Sequence, residues 1–181
     1  MPVSGVQVTV PETREYELLP KDVYQVELLD IENKTEPGYQ TSELEDKLVF
    51  VFAVIEDGEN YGRRQWKNCT TKLSKFKGGS NLYKTLVGLN GGKEFTDAQV
   101  ASPETIASDD VLNALIGKQV RLSIGIVEKQ TKKGEFKNVI ESFLPIKSKL
   151  PAYVSREEGE EAPVAKVKTA TEAVAEISFD E

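Results

Sequence analysis

Histidine is absent from this chain of 181 residues, and cysteine, methionine and tryptophan occur once each. Without histidine the commonest general base and the commonest metal ligand are both missing, which excludes Ser-His and Cys-His triads and the His-based metal hydrolase motifs. The single Cys69 allows no internal disulfide framework and no zinc ribbon or finger. No Gly-rich phosphate loop ending in Lys-Ser/Thr is present, and no dinucleotide fingerprint follows a strand. No apolar run approaches the roughly 20 residues of a membrane span. Met1-Pro2-Val3-Ser4 is not a basic segment leading into an apolar one, so no secretory signal is read. These absences point to a non-enzymatic chain without cofactor, metal or membrane contact, in a soluble, cytoplasmic setting.

A further absence is local. The chain carries 30 acids and a net charge of -7, yet none of those acids falls among residues 60–93. Arg63, Arg64, Lys67, Lys72, Lys75, Lys77, Lys84 and Lys93 do fall there, interleaved with Tyr61, Trp66, Phe76 and Tyr83. Positive charge attracts phosphates, and aromatic rings offer faces on which unpaired bases stack.

Composition divides the chain into an N-terminal arm (1–19), one domain (20–155) and an acidic tail (156–181). The tail holds eight acids against three bases and supplies -5 of the net charge. Phe179 is its only aromatic, so it lacks the apolar surface that would offset its ordering entropy, and disorder is expected there.

Within the domain, residues 23–31 alternate as a strand until Leu28-Leu29 breaks the period, which predicts a bulge. A polar loop with Pro37-Gly38 follows over 33–47, and then a continuous apolar, β-branched and aromatic run over 48–55. Residues 61–71 return as a partly exposed strand. Leu82, Leu86 and Leu89 mark a helix over 80–89, capped by Ser80 or Asn81 and stopped by Gly91-Gly92. A shorter helix is expected over 109–116, capped by Ser108 or Asp109. Strands over 118–131 and 135–143 flank the turn Lys132-Lys133-Gly134.

Five strands with one or two short helices between the third and fourth match a mainly β, OB-fold-like Greek-key barrel. Other small barrels and an α+β sandwich fit the same string. In an OB-fold, strands two and three present the oligonucleotide face, flanked by the loops after strands one and four. Those loops carry Lys34 and Tyr39, and Lys129, Lys132, Lys133, Phe136 and Lys137. Alternation puts Arg64, Trp66 and Asn68 on one face of the third strand and Arg63, Gln65, Lys67 and Cys69 on the other.

On this reading Arg63, Arg64, Lys67, Lys72, Lys75, Lys77, Lys132 and Lys133 neutralise phosphates, and Trp66, Phe76, Tyr39 and Phe136 stack on bases. About five phosphates neutralised would give a salt slope near -3.5. Each residue has a plainer reading. A lone Trp in a β-barrel serves equally as core packing. Tyr83 fits the buried side of its helix, Cys69 fits a small core hydrophobe, and basic runs are often solvated faces. The setting of Phe76, between lysines and ahead of Gly78-Gly79, points to exposure. In the tail, Ile177, Phe179, Asp180 and Glu181 form an acidic tip with two apolar anchors, suited to a basic, apolar-lined pocket on a partner or to the chain's own basic groove.

Together these pieces resemble phage-type single-stranded DNA-binding proteins, with an OB-fold body and an acidic, Phe-bearing C-terminal tail. The run from Glu56-Asp57-Gly58 through Arg63-Arg64-Gln65-Trp66 resembles a hairpin of phage proteins encoded in recombination and replication modules. Ile116-Gly117-Lys118-Gln119-Val120, leading to Lys137-Asn138-Val139-Ile140, is similar to their closing strands. Bacterial tails of this kind, and some phage ones, end on the Phe itself, whereas Asp180 and Glu181 follow Phe179 here. The resemblance implies non-sequence-specific single-stranded DNA binding in replication or recombination, in a host cytoplasm. The alternatives are a protein-interaction or virion-structural β-barrel, and a carbohydrate-binding barrel with Trp66 as its platform.

Overall fold

A computed structural model describes residues 17–38 and 41–155. The alternation that begins at Val23 opens a strand far longer than expected, β1 (Asp22–Pro37). Its partner β2 (Leu44–Val54) pairs with it antiparallel along its whole length, from Val26↔Val54 to Pro37↔Leu44. The expected polar loop over 33–47 is therefore mostly a two-stranded ribbon, and only residues 38–43 connect its strands. Polar cross-strand bonding holds this ribbon. Thr35 donates to Asp46 at 2.8 Å, and Lys47 pairs with Glu36 at 3.7 Å. A search for apolar alternation misses such a strand, because neither face of it is apolar.

The bulge lies where Leu28-Leu29 breaks the period, with the register shifting between Leu28 and Asp30. The extra residue returns Ile31 to the side of Leu28 and leaves Asp30 and Glu32 on the other side. Next comes β3 (Arg64–Thr70), paired with β2, then β4 (Gln119–Glu128), paired with β1, and β5 (Phe136–Leu144), paired with β4. The result is one five-stranded antiparallel sheet in the order β3-β2-β1-β4-β5. β3 and β5 are its edges. Their Cα atoms approach within 8 Å, but no ladder joins them among the described residues, so the sheet is not closed.

Four helices lie between β3 and β4: α1 (Asn81–Leu89), α2 (Asp97–Ala101), α3 (Glu104–Ala107) and α4 (Asp109–Leu115). The Ser80 hydroxyl accepts from the Tyr83 N–H at 3.2 Å and Ser108 caps α4 in the same way, both as the cap chemistry predicts. The two shortest helices were not expected, being too short to show a hydrophobic period. The readable signal of α2 is the capping box of Thr96 and Gln99, whereas α3 has no side-chain cap.

α1 packs against β3, β4 and β5, sending Leu82, Leu86 and Leu89 into a core with Val26, Leu28, Phe50, Phe52, Leu122 and Ile124. At Gly88 the approach to β5 is so close that a Cβ would collide with the Phe143 side chain. Leu19, the last residue of the expected N-terminal arm, is itself fully buried. Its backbone is stitched to β5 by Asn138, whose Oδ1 accepts from Leu19 N at 2.8 Å and whose Nδ2 donates to Leu19 O at 2.9 Å.

Beyond β5 the chain crosses the outer face of the sheet as a strap. The Arg121 guanidinium donates to Pro145 O at 2.8 Å and the Gln25 amide to Ser148 O at 2.9 Å. Gln119 bonds Leu150 twice, and Tyr153 N donates to the largely buried Glu27 carboxylate at 3.0 Å. Residues 156–181, where the sequence predicts disorder, lie outside the described residues. Among the described residues no helix is long and apolar enough to cross a membrane.

Candidate nucleic-acid interface

Alternation on β3 leaves Arg64, Trp66, Asn68 and Thr70 exposed, while Gln65 and Lys67 are half-buried and Cys69 is buried. Trp66 is 52% exposed. The indole therefore faces outward and is not part of the core. Arg64 pairs across the ladder with Ala53, Trp66 with Val51 and Asn68 with Val49. All three β2 partners are buried. One strand further, opposite the same three residues, stand Glu27, Asp30 and Glu32. The outer face is thus striped: a basic and aromatic row on the β3 edge, an apolar row on β2 and an acidic row on β1.

Lys67, expected among the phosphate-neutralising residues, stands on the face opposite Trp66, beside Cys69. Burial pushes the Cys69 thiol above its ordinary value, and the Thr85 hydroxyl and the Lys67 charge offset this only in part. Arg63 is half-buried before the strand, its N–H bonded to Asn60 O at 3.1 Å. Lys72 is exposed just after it.

The turn that follows carries a second aromatic and cationic pair. Phe76 opens a short 3-10 turn (Phe76–Gly78) and is 76% exposed, as its polar setting predicts. Its N–H donates to the Ser74 hydroxyl at 3.1 Å. Lys77 adopts a left-handed backbone, with φ of 52°, and its ammonium sits 5.5 Å from the Phe76 ring centroid. Lys75 is different. Its ammonium donates to Phe95 O and to Asp97 Oδ1, both at 3.0 Å. The bond to Asp97 raises the Lys75 ammonium above its ordinary value, and the same bond neutralises it locally. Lys75 ties this turn to the start of α2 and is not a free cation.

Similar neutralisation occurs in the β4–β5 hairpin. Glu135 receives Lys129 at 2.9 Å and Lys132 at 3.6 Å, and the Lys129 hydrogen bond holds its carboxyl below the usual value. Lys133 remains exposed there without an ion pair among the described residues, and Phe136 is half exposed at the start of β5. This hairpin is carried by β4 and β5, on the far side of β1 and β2 in the sheet order. Tyr39, Ile177, Phe179, Asp180 and Glu181 lie outside the described residues.

The structure therefore brings Arg64 and Trp66 onto one face, with Lys72, Phe76 and Lys77 following on the chain that leaves it. Lys67 stands on the other face, where alternation had placed it, and Lys75 and Lys132 have internal counter-ions. The sequence reading missed those counter-ions and the acidic row on β1. The spacing of Lys132 and Glu135 was a readable signal, whereas Asp97 is 22 residues from Lys75 and gave none. Compared with known proteins, the chain matches no family model and no curated sequence.

Proposed function

We propose that this chain binds single-stranded DNA without sequence preference, along the β3 edge and the turn after it, in phage-type replication or recombination. The observation that carries the reading is the outward Trp66 ring beside Arg64, on a strand whose continuation presents Lys72, Phe76 and Lys77. Two rings provide stacking platforms and the cations meet phosphates. Of the acids on β1, Glu27 lies under the strap and Glu32 pairs with Lys34 at 3.2 Å, so the exposed Asp30 is the one that disfavours a polyanion away from the β3 edge. The sheet order supports an OB-type reading: it is the order left when such a barrel is opened between its third and fifth strands, and here those edges approach each other.

The acidic tail serves on this reading as a partner-docking or self-competing segment. Its root lies beside the proposed track, since Val154 N donates to the Tyr61 hydroxyl at 3.1 Å, just before β3. Titration with oligo(dT) at several salt concentrations, with and without residues 156–181, is the direct test. With Arg64, Lys72 and Lys77 as the unpaired cations of this track, log K should fall with log salt at a slope of about -2. Binding should prefer single strands to duplex, and if the tail competes for the track, removing it should tighten binding. Equal affinity for duplex, or binding indifferent to salt, would overturn the reading.

A further inference from the structure

A cleft of about 700 Å³ opens between the end of α1, the turn before β4 and the start of the strap. Three lysines line it, Lys93, Lys118 and Lys149, and the lining includes neither Asp nor Glu. Among the described residues none of the three forms an ion pair. The Lys118 ammonium donates to Leu89 O at 3.2 Å, which holds it at the end of α1. Ile116 and Ile146 also line the cleft and are exposed despite their size. A cleft both cationic and apolar suits a ligand that is both anionic and apolar. No aromatic ring lines it, so it offers an unpaired base no stacking platform.

We infer that this cleft is the docking site of the chain's own acidic tip, Glu176 to Glu181. The match is in kind and in number. Glu176, Asp180 and Glu181 meet three lysines, and Ile177 and Phe179 meet two exposed isoleucines. The reach suffices. From Lys149, in the cleft wall, to Ser155 the chain covers at most about 20 Å. The residues 156–175 that carry the tip span up to about 65 Å when extended. Carboxylate–ammonium bonds at the rim give steering, and burial of the two apolar side chains gives affinity. This inference rests on the tail half of the preceding reading and not on its DNA half.

The test is paramagnetic broadening in the full chain, with a nitroxide on Ser178→Cys. Cys69 is buried and its thiol is pushed up by burial, so the label goes to position 178. The Gly91 and Gly117 amides, at the cleft, should lose most of their intensity. They should recover it in the exposed charge-reversal pair Lys93→Glu/Lys149→Glu, and separately in Ile177→Ala/Phe179→Ala, which leaves the cleft untouched. Broadening at Trp66 and Asn68 instead, or no selective broadening, would overturn the inference. So would the same broadening in isotope-enriched chains that carry no nitroxide when labelled, unenriched chains are mixed in, since the occupant would then be a second copy. Oligo(dT) titration of the same samples reads the DNA half separately. Lost DNA binding with intact broadening at Gly91 defeats that half alone.

Discussion

The rings of Tyr61 and Tyr153 stack with centroids 5.8 Å apart and planes 20° from parallel. One ring stands just ahead of β3 and the other on the strap beyond β5, so the pair clamps the end of the described chain to the start of the proposed track. The Tyr61 hydroxyl accepts from Val154 N and the Glu27 carboxylate accepts from Tyr153 N, which makes the clamp polar as well as aromatic.

Tyr153→Ala should loosen this clamp without unfolding the sheet. An aromatic pair contributes about 0.5–1.5 kcal/mol beyond its area, so a modest drop in thermal midpoint is expected. Hydrogen exchange is the sharper measurement. The amides of Leu150, Tyr153 and Val154 should exchange faster while those of Phe50 and Phe52 in β2 keep their protection.

Gly88→Ala should destabilise the domain even though Gly to Ala inside a helix ordinarily gains about 1 kcal/mol. The new Cβ would overlap the Phe143 side chain, and overpacking of this kind costs about 1–3 kcal/mol. Denaturant unfolding of the variant checks the sign. Introducing the same change into a Phe143→Ala background should cost less, because Cγ and Cδ1, two of the three obstructing atoms, are gone.

Trp66→Ala should separate binding from folding. The ring is half exposed, so thermal stability should change by less than about 1 kcal/mol. If the ring stacks on a base, affinity for oligo(dT) should fall by about 1–3 kcal/mol, on the order of 5- to 150-fold. As the only tryptophan, Trp66 also reports directly: its fluorescence should be quenched on addition of oligo(dT). A large loss of stability with unchanged affinity would mark the ring as structural.

Lys77→Ala and Lys75→Ala should differ in their salt dependence. Each phosphate contact on a single strand contributes about 0.7 to the slope. Lys77 stands free over Phe76, so its removal should flatten the slope by about that amount. Lys75 is already spent on Asp97 and Phe95, and its removal should leave the slope alone while loosening the turn.

Glu135 gives a pH dependence with a definite sign. Its carboxyl is held below the ordinary value of 4.5, first by the Lys129 hydrogen bond. A group lowered by folding contributes stability that is present above its unfolded value and lost as pH falls through its folded value. Wild type should therefore exceed Glu135→Gln in thermal midpoint at neutral pH, and the gap should close as pH falls below 4.5. Because the pair is exposed, high salt should narrow the same gap.

Local chemistry made much of the fold legible. The period break at Leu28-Leu29, the Ser80 and Ser108 caps and the apolar run of β2 each depend on neighbours a few residues away, and propensity and capping act over that distance. The long β1–β2 ribbon was not legible, because its pairing is polar and is specified by the partner strand. The same limit separates the candidate site. Residue type and alternation determined by themselves that a basic, aromatic, acid-free segment would occupy the third strand, and which of its side chains share a face. Only the tertiary structure decided that Trp66 faces out, that Asp97 and Glu135 take up charge counted as free, and that the strap ends at Tyr61. Those outcomes rest on contacts between residues as distant in the chain as Glu27 and Tyr153, which no local pattern encodes.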